Sequence, residues 1–240
     1  MDDYIKKIVL ALDVEDKETA LTLVQELKDC VGMFKIGKQL FTRYGPEIVN
    51  AVLDTGGDIF LDLKFHDIPN TVAKASREAV RLGVKIFNVH TTGGSEMMER
   101  TVLEVNQAAL EYKVQKPLVL GVTILTSISE SVLKDEIGCV KNLQEQVVSL
   151  ALLAKKSGLD GVVASPKEVS LIRENCGDDF IILTPGIRPL WASANDQKRI
   201  MTPKDAIKKG SNYIVIGRPI LNADSPREAA LKIAEEIKQS

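Results

Sequence analysis

Short continuous apolar runs alternate along the chain with longer amphipathic ones. The runs are KIVLALDV, MFKIGKQL, DIFLDLKF, VKIFNVHT, LVLGVTIL, DGVVAS, FIILTPG and YIVIGR. Continuous rather than alternating apolar segments, bounded by turn residues, are the pattern of parallel strands covered on both faces. Between them the spacing becomes helical, as over Asp16 to Cys30 and Lys141 to Ser157. The last helix, Ser225 to Gln239, opens with Ser225-Pro226, a cap followed by a first-turn proline. Eight strands, each followed by a helix, predict a parallel sheet. Open doubly wound sheets usually use about five or six strands, whereas eight βα units close on themselves. The expected fold is an α/β protein: a single-domain (β/α)8 barrel of TIM-barrel architecture spanning residues 1–240.

Composition agrees with that picture and narrows the function. A chain of 240 residues suits one such barrel, and a 45% hydrophobic share supplies its core. The net charge of −2, with 27% charged residues, provides no basic field for nucleic acid and no acidic tail. An anionic substrate must therefore be held by local charges. Cys30, Cys139 and Cys176 are distant in sequence and form no CxxC pair, so no disulfide framework or zinc knuckle is expected. The N-terminal MDDYIKKIVLALDV is acidic and lacks the basic region and cleavage site of a signal peptide. No apolar run reaches the roughly 18 residues of a membrane span. The expected location is the cytoplasm, with no membrane contact.

Active sites of barrels gather at the C-terminal strand ends. Charges interrupt the apolar runs at those ends: Asp13 on strand one, Lys35 on strand two, Asp62 and Lys64 on strand three. Strand residues two apart share a face. Asp62 and Lys64 therefore point one way, into the barrel mouth, while Leu61, Leu63 and Phe65 point toward the outer helices. Lys35 on the neighbouring strand can reach them, and Asp67 lies just beyond the strand. A purely structural ion-pair network is the plainer reading. Burying ions costs several kcal/mol each, however, so a network at the catalytic end reads as functional. Asp13, Asp62 and Asp67 could instead hold magnesium, but two lysines among three carboxylates already neutralise the ligands a hard cation needs. No metal and no cofactor are expected.

A second set of residues follows strands seven and eight, where barrels commonly bind phosphate. TPGIRP and IGRPI place Gly186, Arg188, Gly217 and Arg218 there, and Gln197 lies in the long segment Arg188 to Thr202. The glycines permit close backbone approach, and Arg218 offers a forked, permanently charged donor. Ser127 to Gly138 is the other connection too long to be a simple turn. His90 reads as a hydrogen-bonded member of the barrel mouth and His66 as structural. Trp191 reads as a loop-packing residue, Arg43 and Tyr44 as solvent or interface residues.

The motifs as an ordered set resemble the orotidine 5′-monophosphate decarboxylase family. ALDV, FKIG, DLKFHDIPNTV, NVHTTGG, VTILTS, LTPGIRP, NDQKR and GRPI occur in that family's order along the whole chain. Magnesium-using relatives, keto-gulonate phosphate decarboxylase and hexulose phosphate synthase, share an Asp-x-Lys-x-x-Asp core. They resemble this chain less, lacking the Ile-Pro-Asn-Thr continuation and carrying an acidic residue where Lys35 stands. The resemblance implies cofactor-free decarboxylation of orotidine 5′-monophosphate to UMP. It implies Lys64 as the acid that protonates C6, Asp62 beside the departing carboxylate, and Lys35 and Asp67 completing a charged array. It implies a homodimer in which Asp67 and Thr71 reach across to the partner's site. Asp13 and Lys35 would bind ribose hydroxyls, Thr126 the pyrimidine, and Arg188, Gln197, Gly217 and Arg218 the phosphate. Ile68 joins the implied substrate-binding set. A non-catalytic phosphate-binding barrel or a dimeric scaffold is the alternative class; neither needs a Lys-Asp-Lys array.

Overall fold

The computed structural model describes residues 2–192 and 201–239. Eight parallel strands close into a barrel in strict sequence order, β1 through β8, with β8 pairing back to β1. The strands are β1 (Ile8–Ala11), β2 (Met33–Gly37), β3 (Ile59–Phe65), β4 (Ile86–His90), β5 (Leu118–Val122), β6 (Gly161–Val163), β7 (Ile181–Thr184) and β8 (Tyr213–Ile216). They are shorter than the apolar runs that encode them. Asp13 consequently lies two residues beyond β1 rather than on it.

Helices cover the outside: α1 (Lys17–Leu27), α2 (Lys38–Tyr44), α3 (Pro46–Asp54), α4 (Pro69–Arg81), α5 (Gly94–Tyr112), α6 (Leu143–Lys156), α7 (Val169–Cys176), α8 (Pro203–Lys208), α9 (Arg218–Leu221) and α10 (Pro226–Lys238). Their starts are written in local chemistry. Asp16 accepts from the Thr19 amide at 2.8 Å, and Asn142 and Glu145 form a reciprocal capping box. Proline occupies the first turn of α3, α4, α8, α9 and α10, where its missing N–H costs nothing. Two connections depart from one helix per strand. The link after β2 breaks into α2 and α3 at Gly45-Pro46, and short α9 precedes α10. The Ser127 to Gly138 segment is not structureless: Val132–Glu136 forms a π-helical turn.

Two apolar layers hold the barrel. Val9, Ala11, Met33, Phe60, Ile86, Leu120, Val122, Val163, Leu183 and Val215 fill its interior. The opposite strand faces pack against the helices in a larger outer core that includes Leu10, Phe34, Leu61, Phe87 and Ile182. Inward residues thus recur every second position, which sets what faces the mouth. Cys30, Cys139 and Cys176 are free thiols, and no helix among the described residues is long and apolar enough to cross a membrane.

Candidate active site

Continuing the inward parity past the apolar interior places polar side chains at the C-terminal rim. Val9 and Ala11 lead to Asp13, Met33 leads to Lys35, Phe60 leads to Asp62 and Lys64, and Ile86 leads to Asn88. These groups form a connected chain. Asp13 Oδ1 accepts from Lys35 Nζ at 3.1 Å, and Lys35 Nζ faces Asp62 Oδ2 at 3.8 Å. Asp62 Oδ1 accepts from Lys64 Nζ at 2.6 Å and from Asn88 Nδ2 at 2.7 Å. Leu61, Leu63 and Phe65 pack into the outer core, as their parity requires.

Three members are withdrawn from solvent, with the Lys35, Asp62 and Lys64 side chains 11%, 14% and 23% exposed, whereas Asp13 is 62% exposed at the edge of the array. Each opposite-charge contact near 4 Å is worth about 4 kcal/mol at an effective dielectric of about 20. Desolvation opposes that gain, so the pairs hold one another in place more than they stabilise the fold. Asp62 is the shared partner of both lysines, so removing it would leave Lys64 as an uncompensated charge.

β3 is not a regular strand where it carries these groups. Its pairing with β4 shifts register between Leu61 and Phe65. Lys64 has φ of +55°, and the only other non-glycine with positive φ among the described residues is Lys113, at +56°. Lys113 caps the C-terminus of α5, where left-handed backbone is ordinary. Lys64 lies within a strand, where that conformation costs about 1–2 kcal/mol. Its amide donates to Asn88 Oδ1 at 2.8 Å instead of to the ladder.

The β7–β8 side of the rim, next to β1, carries the second predicted set. Arg188, Gly217 and Arg218 line the same cavity as Asp13, Lys35, Asp62, Lys64 and Thr126, a space of about 390 Å³. Such a volume lies within the range of roughly 300–1,000 Å³ typical of small-molecule sites. The β7 connection is closed at its base, where the Arg188 amide donates to the Met201 carbonyl at 3.1 Å. Gly186 has φ of +77°, so its conformation, not crowding, explains the glycine. Gly217 has ordinary φ, and a Cβ there would reach Ala11 Cβ at 3.4 Å without a clash. Its lack of a side chain leaves the backbone beside Arg218 open to the cavity.

Other predicted residues lie elsewhere. Asp67 is exposed and bonded to the Ile68 amide at 2.6 Å, and neither residue lines the chain's own cavity. Ile68 is 66% exposed at the N-cap of α4, and Thr71 is exposed in that helix's first turn. Gln197 lies outside the described residues. His90 is not held by a side-chain hydrogen bond among the described residues. It packs against His66, with ring centroids 5.2 Å apart. Burial, with His66 and Lys64 nearby, pushes its imidazole down to about 4. Trp191 packs on the outer core, with Lys232 Nζ 4.8 Å from its ring centre. Arg43 is exposed, as read, and Tyr44 half-buried; both tie the α2 end to the segment after β1 through Glu15 and Lys17.

Asn88 is the site residue that reading the charges alone passed over. It stands in the apolar run of β4, and the parity that turns Asp62 and Lys64 inward turns it inward too.

A closed (β/α)8 barrel with charged side chains gathered around a cavity at its C-terminal mouth has the architecture of a TIM-barrel enzyme. The chain belongs to the orotidine 5′-phosphate decarboxylase / HUMPS family, whose model matches residues 6–233. It is 55% identical over 232 residues to the orotidine 5′-phosphate decarboxylase of Syntrophotalea carbinolica, covering 97% of this chain and 95% of that protein. The Geotalea daltonii orotidine 5′-phosphate decarboxylase is 54% identical, with 98% of each chain covered. Among solved structures, the orotidine 5′-phosphate decarboxylase of Lactobacillus acidophilus superposes with a TM-score of 0.85 at 40% identity, covering 96% of this chain and 98% of that one.

Proposed function

We propose that the protein catalyses cofactor-independent decarboxylation of orotidine 5′-monophosphate to UMP and CO2, the last step of de novo UMP synthesis. The observation that carries this reading is the linked chain Asp13–Lys35–Asp62–Lys64 on one wall of a cavity whose other wall offers Arg188 and Arg218. The names of the relatives point to the same substrate.

Losing CO2 from C6 of the pyrimidine leaves an electron pair in the ring plane, where the ring π system delocalises it poorly. Fixed positive charge aimed at that atom is then the available stabiliser. Lys64 is the group for it: a compact ammonium close to C6 stabilises the carbanion and then gives it a proton. The C–C bond electrons stay on C6, CO2 departs, the new C–H bond uses the Lys64 proton, and the amine is reprotonated from solvent.

Asp62 has two possible contributions. A substrate carboxylate about 4 Å away would be repelled by about 4 kcal/mol at an effective dielectric of about 20, a strain relieved as CO2 forms. Its bonds to Lys64 and Asn88, and the facing Lys35, favour the other contribution, which is orientation of the ammonium groups. In this reading Lys35 and Asp13 take the ribose hydroxyls, Thr126 the pyrimidine, and Arg188, Gln197, Gly217 and Arg218 the phosphate.

The working unit is a cytoplasmic homodimer. Asp67, Ile68 and Thr71 are exposed beside the mouth, which suits residues completing a partner's site. In this reading no metal takes part: Asp13 and Asp62 are paired with Lys35 and Lys64, and Asp67 is turned away onto the Ile68 amide.

Incubation with orotidine 5′-monophosphate, followed by ultraviolet absorbance with and without EDTA, tests the reading. Fast loss of substrate that EDTA leaves unchanged is expected. Chelator sensitivity would move the protein to the metal-using relatives, and no turnover would leave a binding module.

A further inference from the structure

We infer that Asn88 is a positioning residue of the charged array: its carboxamide holds the Asp62 carboxylate and the left-handed backbone of Lys64 in a single geometry. The inference rests on the decarboxylase reading of the site for its kinetic consequence, but not for its structural one.

The argument begins with the β3–β4 ladder. Leu61 pairs with Phe87 and Phe65 with Val89. Asp62, Leu63 and Lys64 therefore stand opposite one β4 residue, Asn88. Three residues against one cannot keep a regular ladder, so amides in the bulged stretch need other partners. The Lys64 amide finds the Asn88 Oδ1 at 2.8 Å. That bond holds Lys64 at φ +55°, a conformation a lysine within a strand would otherwise abandon.

The other end of the same side chain reaches the array. Asn88 Nδ2 donates to Asp62 Oδ1 at 2.7 Å, the oxygen that also accepts from Lys64 Nζ. With Oδ1 held by two donors, the carboxylate is turned so that Oδ2 faces Lys35. One planar amide thus fixes both the backbone that launches the Lys64 side chain and the carboxylate that receives its ammonium.

The residue type follows. The Lys64 amide requires an acceptor and the Asp62 carboxylate requires a donor, and of the short side chains only asparagine offers both from one plane. The carboxamide cannot be flipped, since that would set donor against donor and acceptor against acceptor. Aspartate would place a like charge against Asp62. Leucine would fill the space and leave both partners unmet. Asn88 is 1% exposed and does not line the cavity, so it acts through its neighbours and not on the substrate. A buried carboxamide at the centre of a strand, flanked by Ile86, Phe87 and Val89, has no packing advantage to explain it.

The test combines structure and kinetics on the full-length protein. Asn88→Leu keeps the branched heavy-atom skeleton and removes both hydrogen bonds; Asn88→Asp keeps the acceptor and removes the donor. Turnover is measured per folded site, counted by UMP binding, so partial unfolding is not mistaken for slow chemistry. We expect kcat to fall about 100-fold in both variants, with KM and UMP affinity changed less than about threefold. In crystals of Asn88→Leu, Lys64 is expected to leave positive φ and the Asp62 carboxylate to rotate away from Lys35. A space-filling role predicts the opposite, with Asn88→Leu retaining kcat. Parental kcat in Asn88→Leu, or an unmoved Lys64 and Asp62 in its structure, overturns the inference. A parent protein without turnover on orotidine 5′-monophosphate overturns the functional reading instead, and the crystallographic result still decides the role of Asn88.

Discussion

The two walls of the cavity follow different rules. On the β1–β4 wall the ionised groups are already partnered: Asp13 with Lys35, Lys35 facing Asp62, and Asp62 with Lys64 and Asn88. On the β7–β8 wall, Arg188 and Arg218 line the cavity, and neither guanidinium bonds to another protein group among the described residues. Among the described residues one wall is internally paired, and the other presents arginines that the proposed substrate's phosphate would pair. The difference fits the two tasks. Charge that must stabilise a short-lived anion has to be oriented in advance, because reorganising it during the reaction would add to the barrier. Charge that captures a stable phosphate is more useful unsatisfied, since its interaction energy is then released on binding and can support closure around the substrate.

Four experiments break or sharpen that contrast. The largest effect belongs to Lys64→Ala, which removes both the stabilising charge and the proton donor. We expect kcat to drop about 10⁵-fold in single-turnover measurements, from general-acid and electrostatic terms combined. A variant as fast as its parent would end the case for the array. Lys35 still faces Asp62 in this variant, so the loss of thermal stability is expected to be far smaller than the loss of rate.

Asp67→Ala follows, with a loss of about 10³-fold if the residue serves the partner's array. Mixing it with Lys64→Ala sharpens the claim. Random exchange between two inactive dimers produces heterodimers with one intact site, so about one quarter of parental activity should return. No recovery after verified exchange would place Asp67 with its own chain's site.

Arg218→Ala acts on the other wall. We expect kcat/KM to fall by about 3 kcal/mol, roughly 10²-fold, with the geometry of Lys35, Asp62 and Lys64 unchanged in the crystal. A near-normal value would remove the phosphate clamp, and a disturbed array would erase the distinction between the walls.

The smallest effect concerns His90, which borders the internally paired wall. Burial lowers its folded-state value to about 4, below the unfolded value near 6.5. The unfolded chain therefore takes up the proton first, and stability falls as pH drops from about 6.5 toward 4; above that window His90 contributes no pH dependence. The expected loss is about 1–2 kcal/mol, the full shift being reduced because the ring is only partly buried. Urea titrations of the parent and His90→Asn should diverge only in that window. Parallel curves would show that His90 is as solvated folded as unfolded.

Much of this was legible in the chain. The count of eight apolar runs led to the closed barrel, and charges interrupting those runs led to Asp13, Lys35, Asp62 and Lys64. A local cap signal marked the helix start at Ser225, and the helical spacing read from Asp16 and Lys141 began one and two residues before the observed helices. Asn88 escaped because a lone asparagine in an apolar strand carries no charge to draw notice, although its parity was readable. His90 was expected to be bonded and is instead packed on His66, a contact between separate strand ends that no local pattern encodes.

Periodicity of apolar positions, by itself, determined which residues face the barrel axis, because a strand repeats every two residues whatever its neighbours are. It therefore determined that Lys35, Asp62 and Lys64 crowd one rim. Only the tertiary structure decided how they meet there. The left-handed turn at Lys64, the register break opposite Asn88 and the shared oxygen of Asp62 arise from two strands of unequal length in contact, and a backbone conformation of that cost survives only where a neighbouring strand supplies its hydrogen bond.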